Sequence, residues 1–188
     1  RKLPDTAFYS PNAPYPCEMS PFGRQWFSLA EYDPEFLRRA PETMSGALKA
    51  MAQGAAKSAA YVDDFIDHVM GTHGVTADRV ALIGFSQGTM MAFQSAPRRK
   101  DQIAGVIGFS GALLGEDAFA AEIKSRPPMV LVHGTADPVV PIEASRLAKE
   151  TLSANGIDVA LHERAGLQHG IDEEGIDLAT SFLTRHLT

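Results

Sequence analysis

The length and composition of the chain are those of an ordinary globular protein. It has 188 residues, of which 45% are hydrophobic and 21% are charged, and its formal net charge is −6. This length favours a single domain over residues 1–188, and the negative charge argues against nucleic acid or an anionic membrane surface as a partner. No apolar run is long enough to cross a bilayer and no signal peptide is visible, so no stable membrane insertion is expected. Cys17 is the only cysteine, which fits a reducing, cytoplasmic location.

The first part of the chain is rich in proline and predicts irregular structure. Within it, residues Ala7–Ser10 predict one short strand. Trp26, the only tryptophan, is interpreted in two ways, as an aromatic that packs in the core or under a lid, or as a wall of the substrate pocket. Residues 32–42 predict a loop.

From residue 43 onward the pattern predicts alternating helices and strands. A long amphipathic helix is predicted from Thr43 to about Gly71–Gly74. Further helices are predicted at 87–96, 142–154 and 172–187, and strands at 80–85, 103–109, 129–132 and 157–162, the last of them at or near the sheet edge. This order predicts an α/β fold with a mostly parallel sheet and helices on both faces.

Residues 84–88 read Gly-Phe-Ser-Gln-Gly and lie between a predicted strand and a predicted helix. This arrangement predicts a nucleophile elbow, with the Ser86 hydroxyl exposed on a tight turn. A Cβ at Gly84 or at Gly88 is expected to collide with the neighbouring strand or helix. The backbone N–H of Gln87, at the start of the helix, is the natural donor to a developing oxyanion.

A serine nucleophile needs a base and an orienting carboxylate, and the loops after later strands supply both. Asp137 follows the buried strand 129–132, and His169 lies in a late loop before the last helix. The other candidate acids, Glu143 and Asp172, fall at predicted helix starts, where a carboxylate acts as a cap.

The remaining histidines fit other places. Three lie on or at the ends of helices and one on the predicted edge strand, whereas His133 is expected to shape the Asp137 loop through a hydrogen bond. The three histidines on or at the ends of helices are His68, His73 and His186, and the one on the predicted edge strand is His162. No histidine pair has the spacing of metal ligands, so no metal site is predicted.

Leu113 and Leu114 lie in the loop after the strand at 103–109. Ligands bind at this end of an open α/β sheet. The two side chains are therefore candidates for an apolar substrate pocket, with simple packing as the equally weighted alternative.

Together these motifs resemble the phospholipase/carboxylesterase family of α/β-hydrolases, which includes acyl-protein thioesterases. The resemblance implies an α/β-hydrolase fold, hydrolysis of carboxylic esters or thioesters, no cofactor, frequent dimerisation, and a triad of Ser86, Asp137 and His169. The matching stretches cover nearly the whole chain and are 10–14, 26–27, 84–88, 109–111, 133–141 and 166–171.

The sequence departs from the family at its beginning. Family members start with an extra strand pair and a Leu-His-Gly-x-Gly loop that supplies a second oxyanion N–H, and no such motif precedes Ala7. We therefore expect either a chain that lacks its natural beginning or a molecule with half of an oxyanion hole. The absent first strands would leave an unpaired sheet edge, which invites pairing with another chain.

The sequence thus predicts a serine carboxylesterase that acts on a small ester or thioester. An acyl-protein thioesterase or lysophospholipase is the alternative within this enzyme class. A binding protein that has lost turnover along with part of its oxyanion hole is the alternative of another class.

Overall fold

The computed structural model describes residues 3–30 and 44–187, with the backbone alone at residues 44–48 and at Asp117. Near the N-terminus two short strands, β1 (Tyr15–Pro16) and β2 (Arg24–Gln25), pair antiparallel. This pair was not apparent in the sequence, because two-residue strands carry no periodic signal. The predicted loop at residues 32–42 lies outside the described residues.

The main sheet has four strands in the order β3–β4–β5–β6, and all neighbours are parallel. The predicted parallel sheet is confirmed, and β6 lies at one edge as expected. Phe85 of the first strand lies opposite Phe109 of the second, and Phe109 lies opposite Val132 of the third. The carboxyl ends of these strands therefore meet at one rim. The strands are β3 (Ala81–Phe85), β4 (Gly105–Phe109), β5 (Met129–Gly134) and β6 (Val159–Arg164).

Five α-helices accompany the sheet in the described part of the chain. Four match the predicted ones within a few residues. The fifth, α3, was missed because seven residues are too few for a helical repeat. The helices are α1 (Met44–His73), α2 (Gln87–Ser95), α3 (Glu116–Glu122), α4 (Ile142–Ala154) and α5 (Glu173–His186).

The core is divided by the sheet, as the alternation of side chains along a strand requires. On one face, α2 and α4 pack on β4 and β5 through Phe93, Leu152, Val106 and Leu131. On the other face, α5 packs on the same two strands. The long α1 lies against α2. The predicted helices on both faces are therefore confirmed.

β3 forms the other edge of the sheet, and the described residues include no strand beyond it. The Ser86 N–H donates to the Phe109 carbonyl (2.9 Å) and the Ala104 N–H to the Val80 carbonyl (2.8 Å). Since bonding direction alternates along a strand, the N–H and C=O of Ile83 and Phe85 point to the open side. The two residues are 47% and 40% exposed.

A cavity of about 570 Å³ follows this open edge, with residues 5–11 on one side and 79–85 on the other. The predicted strand Ala7–Ser10 is wrong, because residues 7–10 have no strand pairing. They face β3 across the cavity, and a strand needs a neighbour about 4.8 Å away to form ladder hydrogen bonds.

No helix among the described residues is both long and apolar enough to cross a membrane.

Candidate active site

The turn at Ser86 joins β3 directly to α2. Ser86 has φ 53° and ψ −117°, a strained conformation for a residue with a side chain. Hydrogen bonds on both sides hold it, from the Ser86 N–H to the Phe109 carbonyl (2.9 Å) and from the Thr89 N–H to the Ser86 carbonyl (3.0 Å). A Cβ at Gly84 would lie 2.3 Å from the Thr89 backbone nitrogen. Glycine is therefore required at residue 84 for the helix to start so close to the strand.

The same expectation for Gly88 is wrong. A Cβ added there would meet no atom within 4 Å, because Gly88 borders the cavity along the open edge. Of these two glycines, therefore, only Gly84 is required for the close backbone packing of the elbow.

Gln87 contributes to this region through its backbone and its side chain. As the first residue of α2 its N–H has no acceptor within the helix, so it is free to bind an anion. Its side chain accepts a hydrogen bond from the Trp26 N–H (3.0 Å) and donates one to the Phe27 carbonyl (3.0 Å). The amide thus fixes the N-terminal segment beside the elbow. Sequence analysis missed this link, since nothing in the sequence connects residues about 60 positions apart.

Trp26 borders the cavity together with Gly84, Phe85 and Gly88, and it also packs against the core. Ser86, Asp137 and His169 do not border this cavity. The structure therefore supports the packing of Trp26 on the core, and its place in a substrate pocket stays a prediction.

The loops after β5 and β6 are bound to each other. The Ala136 N–H donates to the Leu167 carbonyl (3.0 Å), and the Thr135 N–H donates to the Arg164 carbonyl (2.9 Å). A Cβ at Gly134 would lie 2.1 Å from the Leu167 carbonyl oxygen. Only glycine at residue 134 permits this approach, which brings the segment before His169 against the start of the Asp137 loop.

Asp137 and His169 meet at this junction. The Nδ1 atom of His169 lies 2.7 Å from Oδ2 of Asp137. The Asp137 side chain has no exposed surface, whereas that of His169 is 18% exposed. Burial alone would raise the pKa of Asp137, but hydrogen bonds from His169 and from the Val139 and Val140 N–H groups outweigh it and hold the pKa below its usual value. Asp137 is therefore an anion that accepts the Nδ1 proton of His169.

The other side of the His169 ring lies against the elbow. Its centroid is 4.7 Å from that of the Phe85 ring, at an interplanar angle of 43°. Since Phe85 directly precedes Ser86, the imidazole lies at the end of the strand that carries the serine.

Of the two competing carboxylates, Asp172 is the helix cap that was expected, whereas the N-cap of α4 is Pro141 rather than Glu143. Asp172 caps α5 by accepting from the Gly175 N–H (2.8 Å) and pairs with Arg164 (2.9 Å). Glu143 lies exposed in the first turn of α4, where it pairs with Arg146.

Leu113 and Leu114 are 3% and 2% exposed and belong to two different clusters of the core. The structure therefore favours packing for both side chains. Within residues 3–30 and 44–187, no group of three or more His, Cys, Asp and Glu side chains is arranged to hold a metal ion.

Comparison with known proteins gives consistent matches. A model of the phospholipase/carboxylesterase family matches residues 1–187. The chain is 30% identical over its full length to "Acyl-protein thioesterase 1" of Neurospora crassa, covering 76% of that protein. It is 32% identical over 87% of its length to "Esterase YpfH" of Escherichia coli, covering 63% of that protein.

A solved structure of similar fold is that of esterase PE8. It is 36% identical, and the match covers 99% of this chain and 81% of that one, with a TM-score of 0.88. A structure of SOBER1 from Arabidopsis thaliana, at 20% identity and a TM-score of 0.80, shares the fold.

Proposed function

The chain belongs to the phospholipase/carboxylesterase family of α/β-hydrolases, and we propose that it is a serine carboxylesterase with Ser86 as its nucleophile. The Ser86 oxygen attacks the acyl carbonyl of a small ester and forms an acyl-enzyme. Support comes from the strained turn between β3 and α2, which presents a side chain at the end of a strand.

His169 is the general base in this mechanism. Its Nε2 takes the Ser86 proton during attack and passes it to the departing alcohol. In the second half it takes a proton from water, the hydroxide attacks the acyl carbon, and the proton returns to Ser86 as the acid leaves. Asp137 keeps Nδ1 protonated and stabilises the imidazolium, while the Gln87 N–H donates to the oxyanion.

The observation that carries the proposal is the 2.7 Å contact between Asp137 and His169, together with the packing of His169 on Phe85. A buried carboxylate that holds a partly exposed imidazole beside the elbow is the arrangement that acyl transfer requires.

Thioesters are the second substrate class that we propose. The relatives in Neurospora crassa and Gibberella zeae carry the name acyl-protein thioesterase 1. The same nucleophile and base serve both reactions, because an ester and a thioester differ only in the leaving group.

Hydrolysis of p-nitrophenyl butyrate tests the function, with the matching butyryl thioester assayed in parallel. Ser86→Ala should lower kcat/KM by at least about 10³, whereas Ser153→Ala, exposed on α4, should leave it unchanged. Full activity in Ser86→Ala would refute the mechanism. If the parent protein binds the butyrate ester without hydrolysing it, the alternative of a non-catalytic binding protein is supported. That alternative is motivated by the single oxyanion donor identified, the Gln87 N–H.

We further propose a cytoplasmic location, on the basis of the lone Cys17. We also propose that the protein forms a homodimer, as the resemblance to this family implies.

A further inference from the structure

His133 is a fully buried histidine that the proposed mechanism does not use. It lies next to the end of β5, and its side chain has no exposed surface. Its Nε2 is 2.9 Å from the Val140 carbonyl oxygen and 3.2 Å from Oδ2 of Asp137. Both neighbours can only accept, so Nε2 carries a proton and donates. The hydrogen bond predicted to shape the Asp137 loop is therefore present, from Nε2 to the Val140 carbonyl, and the same nitrogen is in polar contact with the carboxylate.

The other nitrogen of His133 faces a hydroxyl. Its Nδ1 lies 2.6 Å from Oγ of Ser145 in α4, and that oxygen is also 3.0 Å from the Gly111 carbonyl. Burial lowers the pKa of His133, so the ring is neutral and Nδ1 accepts the Ser145 proton. One tautomer is thereby fixed, with its N–H donating to the Val140 carbonyl and lying beside Oδ2 of Asp137.

The contacts of Asp137 are then complete. Its Oδ1 accepts from the Val139 N–H (2.8 Å) and the Val140 N–H (2.9 Å), and its Oδ2 is shared by His169 (2.7 Å) and His133 (3.2 Å). Three hydrogen bonds and the contact with His133 restrict rotation of this carboxylate.

We propose that His133 is a positioning residue that acts through Asp137, holding Oδ2 in the orientation that directs the His169 ring toward Ser86. This inference rests on the proposed function of the three residues. His133 touches no substrate in this arrangement.

Two carboxylates lie near His133, those of Asp137 and Glu163, and the first is in contact with its ring. Glu163 lies opposite His133 in the pairing of β5 with β6, but it is engaged by Arg146 of α4 (2.7 Å). The His133 N–H therefore acts on Asp137 directly, and through Asp137 on the position of the His169 ring.

Loss of that N–H removes a favourable contact from Oδ2, so the pKa of the Asp137 carboxyl rises. This moves the acid limb of activity to higher pH, and the freer carboxylate lowers the maximal rate about tenfold. The butyrate KM should not change.

The decisive variants are His133→Gln and His133→Asn. A glutamine amide reaches as far as Nε2 and can donate to Oδ2, whereas an asparagine amide reaches only the Nδ1 side, toward Ser145. Both are polar and differ by one methylene, so one serves as the matched control of the other.

The rate of Ser86 labelling by a fluorophosphonate is measured against pH in the parent and both variants, with kcat and KM for p-nitrophenyl butyrate. We expect His133→Asn to label about tenfold more slowly with its acid limb at higher pH, and His133→Gln to retain the parent profile. If the parent is labelled and both variants match it in labelling rate and pH profile, the inference is overturned.

A second readout does not depend on catalysis. The titration midpoint of the Asp137 carboxyl, followed by NMR, should move to higher pH in His133→Asn but not in His133→Gln. An unlabelled parent would refute the proposed function, and this titration would still decide whether His133 acts on Asp137, with equal midpoints in all three proteins as the contrary result.

Discussion

Replacing Gly134 by alanine should displace the loop that carries His169 without touching any side chain of the proposed triad. The new Cβ would lie 2.1 Å from the Leu167 carbonyl oxygen and 2.7 Å from that of Gln168. Both atoms belong to backbone, so no side-chain rotation can relieve the overlap.

The size of the effect follows from these distances. The Leu167 carbonyl must retreat by roughly 1 Å to reach even 3.0 Å, below which real Cβ contacts are essentially never seen. That movement also strains its hydrogen bond from the Ala136 N–H. Because misplacing a reacting group by about 1 Å costs on the order of 10² in rate, Gly134→Ala should lower kcat/KM by about that factor.

Hydrolysis of p-nitrophenyl butyrate measures the loss, and near-ultraviolet circular dichroism verifies that the variant is folded. Gly170→Ala is the matched control, because a Cβ in the same loop would meet nothing within 4 Å, and its activity should stay within about twofold of the parent. A folded Gly134→Ala protein with parental kcat/KM would refute the reasoning.

Two further changes test separate parts of the account. Asp137→Asn should lower kcat by about 10⁴ through loss of the correct His169 tautomer, whereas Glu143→Gln should leave kcat unchanged; comparable losses would contradict the assignment of the acid. Burial lowers the pKa of His133, so below about pH 6.5 the unfolded chain binds a proton that the native protein does not. The free energy of unfolding, measured in urea, should therefore decrease by up to about 1.4 kcal/mol for each unit by which the pH is lowered below about 6.5. His133→Gln should reduce this slope, and an unchanged slope would exclude His133 as its source.

The elements that the sequence predicted are those with a repeating or punctuated signal. The apolar runs of β3 to β5 and the turn at Gly84 can each be recognised from a short stretch of neighbouring residues. Ser86 directly follows β3, whereas Asp137 and His169 lie in the loops after β5 and β6. Because parallel strands bring such loops to one rim, these three residues could be proposed from the sequence.

What the sequence missed depends on contacts between distant segments. The Gln87 side chain binds Trp26 and Phe27, which no periodicity connects. The packing of Leu113 and Leu114 is equally invisible, because an apolar residue in a loop suits a pocket and a core alike. The strand predicted at residues 7–10 had the right composition, but a strand forms only beside a neighbour.

The central claim is that His169, held by Asp137, activates Ser86. The most direct measurement is the site and rate of covalent labelling by a fluorophosphonate, by intact mass and peptide mapping, in the parent protein and in His169→Ala. The account predicts a single adduct on Ser86 in the parent and labelling at least about 10³-fold slower in the variant. An adduct elsewhere, or equally fast labelling of Ser86 in a folded His169→Ala protein, would contradict it.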